Sequence, residues 1–564
     1  MEAIELARET AMRERGRRRA KAAIAKAEER GEIAETPAGN ELVKRAVSPL
    51  ADAITAFVAS AKSGKAGRRH EAVRLLEGVS ADLAAYVTVR ACLAAAAKGY
   101  AVQSAAIATS RALEIELIAE AFEAENKGLY RAIVSKAKGR GLTPQRIAKA
   151  VELANKHFEV TPTLWTEQER VRLGTKLVEL AIETLGIVKA DYVKIGKNRT
   201  QHKLSFTEGV TDWYTRFNDA AALAKPMWLP TVVSPKPWEA VRGGGYYTDR
   251  IRAQPLLTRS FDGQMQKLQE ADMSKVYSAL NGLQETPWRI NARVLNVMAD
   301  AWERGLNLPG LPTREDEPLP DKPEEVAEAE KGSEIRKQWR TMIRGIHQRN
   351  AQARSNRFTF DRLIDLATEN VTNPAIYFPH RLDFRGRCYA MSTALNPQGP
   401  DEARALLEFS EGKPLGERGL YWLGVHGANL FGNDKVSLDE RASWAIEHGP
   451  QAVAVARDPL NNQWWTEADK PWCFLAWCFE WFGMFEEIAN GGKAATFVSH
   501  QAIALDGSCN GIQHYSAMLR DEVGGKAVNL VPGDKPNDIY QAVADRVNRK
   551  LEIVANKEDD ADHH

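Results

Sequence analysis

The sequence predicts an α+β protein that is mainly helical, and three observations carry that prediction. Apolar residues recur at three-to-four spacing over most of the first 187 positions, the period of amphipathic helices. One stretch, YVKIGKNRTQHKLSF at 192–206, alternates instead and turns at Gly-Lys-Asn, the pattern of a hairpin. A short apolar run, AIAL at 502–505, ends on Asp506 and Gly507 and is followed by a helical pattern. That reads as a buried strand, a tight turn and a helix.

Bulk composition bounds the rest. The chain has 564 residues, 44% hydrophobic and 27% charged, with a formal net charge of +1. That is the balance of a globular chain with several domains and a large core. Any electropositive surface has to be local, offset by acidic surface elsewhere. The five cysteines form no CxxC pair and no zinc-finger spacing, which fits a reduced, cytoplasmic protein. The N-terminus lacks the apolar core of a signal peptide. No run of about 18 apolar residues predicts a membrane span.

Residues 1–33, with RGRRRAK at 15–21, read as a charged, solvated helix. Helices follow over 41–63, through Leu42, Val43, Val47 and Leu50, and over 70–98, through Val73, Leu76, Val79, Leu83 and Val87. Between them, KSGKAGRRH at 62–70 places Lys65, Arg68 and Arg69 on a glycine-broken loop. Such a loop either tracks a nucleic-acid backbone or is simply solvated. SPKPWEAVRGGGYY at 234–247 reads as an extended loop with close backbone approaches. The Pro-rich, acidic LPGLPTREDEPLPDKPEE at 308–325 reads as a linker or domain boundary.

The helix after it, 335–363, sets Arg336, Arg340 and Arg344 four apart on one face, and no acidic residue occurs from 335 to 360. This favours a polyanion partner about as strongly as a solvated face. Further on, DFRGRCYA at 383–390 places Arg385 and Arg387 about Gly386. Two guanidinium forks on a turn suit phosphate oxygens. The aromatic WWTEADKPWCFLAWCFEWFGMFEE at 464–487 reads as core. Asp506 at the end of its apolar run is either a turn former or helix cap, or a ligand for a hard divalent ion.

Taken together, DFRGRCYA, NPQG at 396–399, PWCFLAWCFE at 471–480 and ALDGSCNGIQHYSAMLRDEVGGKAVNL at 504–530 resemble one family. It is the single-subunit, bacteriophage-type DNA-directed RNA polymerases, also found in mitochondria. PKPW followed by GGGYY matches that family's N-terminal domain. The resemblance runs in order over most of the chain and is weak in the first 180 residues.

The resemblance implies a right-hand polymerase fold, incomplete here: an N-terminal promoter-binding domain over 1–310, a thumb over 311–373, the first part of the palm over 374–534, and the start of the fingers over 535–564. Asp506 matches the first of two palm aspartates that bind Mg²⁺, helped by the Gly507 carbonyl. Tyr540 matches a tyrosine near the incoming nucleoside triphosphate. Arg385 and Arg387 match a motif that holds template and RNA–DNA hybrid, and Arg404 a basic residue nearby. Lys65, Arg68 and Arg69 sit where the family reads AT-rich promoter DNA. Val193 or Ile195 would be the wedge of a duplex-opening hairpin. The chain ends, at LEIVANKEDDADHH, where the family's fingers begin, and the second palm aspartate has no match. The resemblance therefore implies an RNA polymerase whose remaining part is supplied by a second polypeptide, or else a reading frame or chain cut short. The competing expectation is a promoter-DNA-binding fragment without catalysis.

Overall fold

The computed structural model describes residues 2–561 except 63–69, 140–143, 159–164, 197–198, 224–225, 249–253, 259, 262, 331–332 and 505–506. The chain forms two compact units, Ala11–Pro226 and Met1–Thr10 with Met227–His564.

The first unit is helical apart from one hairpin. Helices Pro37–Lys62, Ala81–Lys98, Val102–Glu125 and Glu167–Leu185 bury a core that includes Leu50, Ile54, Leu93, Leu113, Leu173 and Leu177. The apolar spacing seen in the sequence generates this stripe. Two helices approach so closely that a Cβ on Gly174 would lie 1.9 Å from the Ala106 carbonyl oxygen. Helix Glu167–Leu185 starts at a capping box between Thr166 and Glu169 and stops at Gly186, whose φ is +61°. Both ends follow standard helix-terminus chemistry.

The alternating stretch is the expected hairpin. Val188–Gly196 pairs antiparallel with Arg199–Phe206, in register from Val188 opposite Phe206 to Lys194 opposite Thr200. Its base is buried through Val188 and Leu204, while Tyr192 and Val193 are exposed farther out. Tyr192 packs edge-on against His202, with ring centroids 4.2 Å apart.

The second unit is built around short sheets and longer helices. Leu257–Thr258 pairs parallel with His380–Asp383, which pairs antiparallel with Cys388–Ala390. Trp238 lies beneath this sheet and donates its indole N–H to the His380 carbonyl (2.9 Å). The middle glycine of the three is explained by that ring: a Cβ on Gly244 would sit 2.4 Å from it. The helix Pro471–Ala489 buries Trp472, Phe474, Trp477, Cys478 and Trp481, so the aromatic stretch is core as expected.

Three readings change. The N-terminal helix, Glu2–Glu29, is not merely solvated. Glu5 accepts from the Val232 amide (2.7 Å), and Glu9 from those of Tyr247 (2.6 Å) and Thr248 (2.7 Å), all within the second unit. Carboxylates go inside when backbone N–H groups meet them. Second, residues 308–323 do not run free: Leu308 and Leu311 are buried, and the acidic part lies along the helix Glu334–Asn370. Third, residues 501–504 are not a strand. The strand is Val498–Ser499 alone, paired with Lys413–Pro414. Beyond it the Phe409 amide donates to the His500 carbonyl (3.0 Å), but no ladder partner meets the backbone of 501–504 among the described residues, and Ile503 stands 62% exposed. A strand exists only through its neighbours.

Candidate nucleic-acid interface and palm segment

The RGR turn is organised by the residue ahead of it. Asp383 ends the strand His380–Asp383, and its carboxylate accepts from the amides of Arg385 and Arg387, both at 2.9 Å. The same carboxylate accepts from Nε (3.1 Å) and Nη2 (2.9 Å) of Arg385. Gly386 takes a φ of +83°, which closes the turn and which other residues adopt only at a cost. Burial acts to raise the Asp383 carboxyl, but the Arg387 amide and the Arg385 groups outweigh it and hold it below the usual range. One carboxylate thus fixes four donors.

The two arginines consequently differ. Arg385 is locked on Asp383 and lies 5.5 Å from the centre of the exposed Phe384 ring. Arg387 is exposed, and its side chain has no partner among the described residues. Local sequence alone assigns Asp383 no role. The available signal was an Asp two residues before an Arg-Gly turn, an Asx-turn pattern.

Arg404 has a different setting. It lies in the short helix Asp401–Ala405, 3.9 Å from Asp401 and 27% exposed. Asp401 caps the aromatic helix by accepting from the Trp472 amide (2.7 Å). Nothing in these contacts joins Arg404 to the RGR turn.

Asp506, Lys65, Arg68 and Arg69 lie outside the described residues, as does the side chain of Ile195. Val193 is 37% exposed on the hairpin. Gly507 is described: a Cβ there would lie 2.0 Å from Asn510 Oδ1 and 3.1 Å from Gln513 Oε1. The helix that follows is Asn510–Leu519, entered through Cys509 at φ +58°. A non-glycine residue in that region carries strain of about 1–3 kcal/mol, which persists only where the surroundings over-determine it.

Here they do, through amides. Asn529, at φ +59°, donates to Ser508 Oγ (3.0 Å) and to the Asn537 carbonyl (2.9 Å), and accepts from the Asn537 amide (2.7 Å). Gln513 donates to the Val528 carbonyl (2.8 Å). Ser508 is thus bonded to Asn529, and the helix is entered at Cys509 without a side-chain cap. Tyr540 is 66% exposed on the first turn of the helix Ile539–Ala561, where Asp538 accepts from its amide (3.1 Å). Among the described residues no three His, Cys, Asp or Glu side chains cluster as metal ligands. What surrounds Gly507 is oxygen in type, with Asn510 and Gln513 adjacent. Hard oxygen donors fit magnesium, but the described set holds no carboxylate there.

No helix among the described residues is long and apolar enough to cross a membrane.

Two family profiles match the chain: DNA-directed RNA polymerase N-terminal over residues 5–285 and DNA-dependent RNA polymerase over residues 413–564. The DNA-directed RNA polymerase of Enterobacteria phage T3 is 33% identical over 97% of this chain. The T7 RNA polymerase of Escherichia phage T7 is 32% identical over 93%. A mitochondrial DNA-directed RNA polymerase of Neurospora crassa is 34% identical over 71% of this chain and 29% of its own length. The chain spans 62% and 60% of the two phage relatives, each a single longer polypeptide, so they lend no support to a second polypeptide. With both matches in family order and the RGR turn between them, the chain belongs to the phage-type single-subunit DNA-directed RNA polymerases.

Proposed function

We propose that this chain carries the promoter-binding, thumb and first palm parts of an enzyme that synthesises RNA on a DNA template from nucleoside triphosphates. The observation that carries the reading is the order of the two family matches, 5–285 and then 413–564, on either side of the Asp383-clamped turn. In this reading residues 1–310 bind promoter DNA, 311–373 form the thumb, 374–534 the palm and 535–564 the start of the fingers. Lys65, Arg68 and Arg69 contact upstream DNA, and Val193 or Ile195 wedges the duplex. Arg387 contacts template or hybrid phosphates directly. Arg385 does so through its remaining N–H groups, and Arg404 lines the same neighbourhood. Tyr540 faces the incoming nucleotide.

Asp506 and the Gly507 carbonyl are the residues that would hold Mg²⁺. When bound, the ion activates the RNA 3′-hydroxyl and stabilises the leaving pyrophosphate. In this reading the work is done in the host cytoplasm, which the phage origin of the two relatives supports. A second reading is a promoter-DNA-binding module without catalysis. The exposed, lysine-bearing hairpin favours it, because DNA binding needs only that surface.

Run-off transcription by the polypeptide carrying this sequence, with Mg²⁺ and four nucleoside triphosphates, tests both readings. The enzyme reading expects RNA that Asp506→Asn abolishes while promoter binding persists. DNA binding without RNA from any polypeptide containing this sequence would leave the binding module as the description.

A further inference from the structure

The thumb helix Glu334–Asn370 has two arginine sets with different fates. Arg340 and Arg344 are exposed, and neither side chain has a partner among the described residues. They share a stripe with His347 and with Phe358, which is 77% exposed, because steps of three, four and eleven residues return to one helix face. Arg349, Arg354 and Arg357 are engaged. Glu317 takes Arg349 in a two-pronged pair (Nε 2.7 Å, Nη2 2.8 Å). Asp316 bridges Arg354 (Nε 2.8 Å) and Arg357. Arg357 also donates to the Thr313 carbonyl (2.8 Å).

The acidic segment 313–317 is held in place as a strap. Asn350, buried, accepts from the Glu317 amide (2.7 Å) and donates to its carbonyl (2.9 Å). Leu311 is buried just before the strap, and the Arg314 guanidinium lies 4.9 Å from the centre of the Trp302 ring. Hydrogen bonds from Arg354 and then Arg357 hold the Asp316 carboxyl down at about 2, so the strap stays anionic at any working pH.

A two-pronged guanidinium–carboxylate pair has the same fork geometry as a guanidinium–phosphate pair. We propose that the strap, through Asp316 and Glu317, is an internal phosphate mimic that keeps Arg349, Arg354 and Arg357 out of nucleic-acid contact. It confines the thumb's grip to Arg340 and Arg344. The inference rests on the reading of this helix as a nucleic-acid-binding thumb. Its consequence is a weaker hold: a strand gripped by two arginines slides more readily than one gripped by five. Exposed ion pairs of this kind are individually weak, so the strap attenuates the charge without sealing it off.

The test is the salt dependence of binding a fluorescein-labelled RNA–DNA hybrid. Each phosphate contact contributes about 0.9 to the slope of log K against log salt on duplex B-DNA and about 0.7 on single strands. Asp316→Asn with Glu317→Gln is expected to steepen the slope by up to about two to three units. Arg340→Gln with Arg344→Gln is expected to flatten it by up to about two. An unchanged slope in the strap variant, beside a flattened one in the arginine variant, overturns the proposal and leaves the thumb reading standing. Unchanged slopes in both overturn the thumb reading, and the strap proposal with it.

Should the strap variant lose helix by circular dichroism, arginine-specific phenylglyoxal labelling of the unaltered chain decides. Arg340 and Arg344 should react fast and be protected by the hybrid, while Arg349, Arg354 and Arg357 react slowly with or without it. Fast labelling of the latter three, or their protection by the hybrid, sinks the idea.

Discussion

Two helices that both carry large apolar side chains, about twenty residues apart, meet opposite fates. Pro471–Ala489 buries its tryptophans completely: Trp472, Trp477 and Trp481 are each 0% exposed. Asn510–Leu519 leaves Tyr515, Met518 and Leu519 at 67%, 77% and 74%. The first helix has neighbours shaped for it. Gly427 lacks a Cβ where Trp477 lies, since one would come within 2.2 Å of the ring, and Phe474 stacks on Trp477 with centroids 5.1 Å apart. The second is held by its polar side, through Gln513 and the Asn529 network, while its apolar side faces outward. Large apolar side chains on a helix therefore do not by themselves settle burial. Hydrogen bonds from side-chain amides can order a segment whose apolar face remains uncovered.

The comparison can be broken most directly at its buried end. Trp477→Ala should destabilise the second unit by about 3–5 kcal/mol, the range for deleting a buried aromatic. Urea unfolding followed by fluorescence checks this, and a loss under about 1 kcal/mol would show that the aromatic cluster is loosely packed.

Acid sharpens it next. His426, on the helix Gly419–Phe431 packed against the tryptophans, is pushed down to about 4 by burial and, secondarily, by the Lys470 charge. The unfolded chain takes up that proton near the ordinary value of 6.5, whereas the folded one does not. Stability attributable to His426 is therefore complete above about 6.5 and is lost as pH falls toward 4, by roughly 3 kcal/mol in total. Thermal melts of wild type and His426→Leu at pH 7 and pH 4.5 should diverge in their acid sensitivity. Equal sensitivity would remove His426 from the account.

On the open side, Asn529→Ala deletes three hydrogen bonds and a residue suited to left-handed backbone. We expect a local loss of about 2 kcal/mol, read as faster amide exchange over 508–537 with the tryptophan helix unchanged. Smallest of all, Met518→Ser with Val523→Ser should shift unfolding free energy by less than about 0.5 kcal/mol while lowering self-association in sedimentation. A large stability loss there would mean the outward face is packed after all.

Much of the site was legible in the sequence, for reasons that can be named. The hairpin at 192–206 follows from alternation and a Gly-Lys-Asn turn, both local. The RGR turn follows from Gly386, because a tight turn of positive φ is written in a single residue. The aromatic core helix follows from its density of rings. The role of Asp383 is not legible in sequence, because a carboxylate's partners are set by how the turn folds back on it. The strand expected at 502–505 failed because pairing depends on a neighbouring backbone that no local pattern specifies. The acidic stretch within 308–325 reads as a linker in sequence because its arginine partners stand more than thirty residues away.

By itself, then, the sequence determined which segments become helices, where the chain turns, and the family to which it belongs. All of these rest on short-range periodicity or on ordered motifs. Only the tertiary structure decided which arginines stay available and which are clamped, and which apolar faces are covered. Charge neutralisation and burial are properties of groups brought together from distant parts of the chain, and no single segment encodes its own partner.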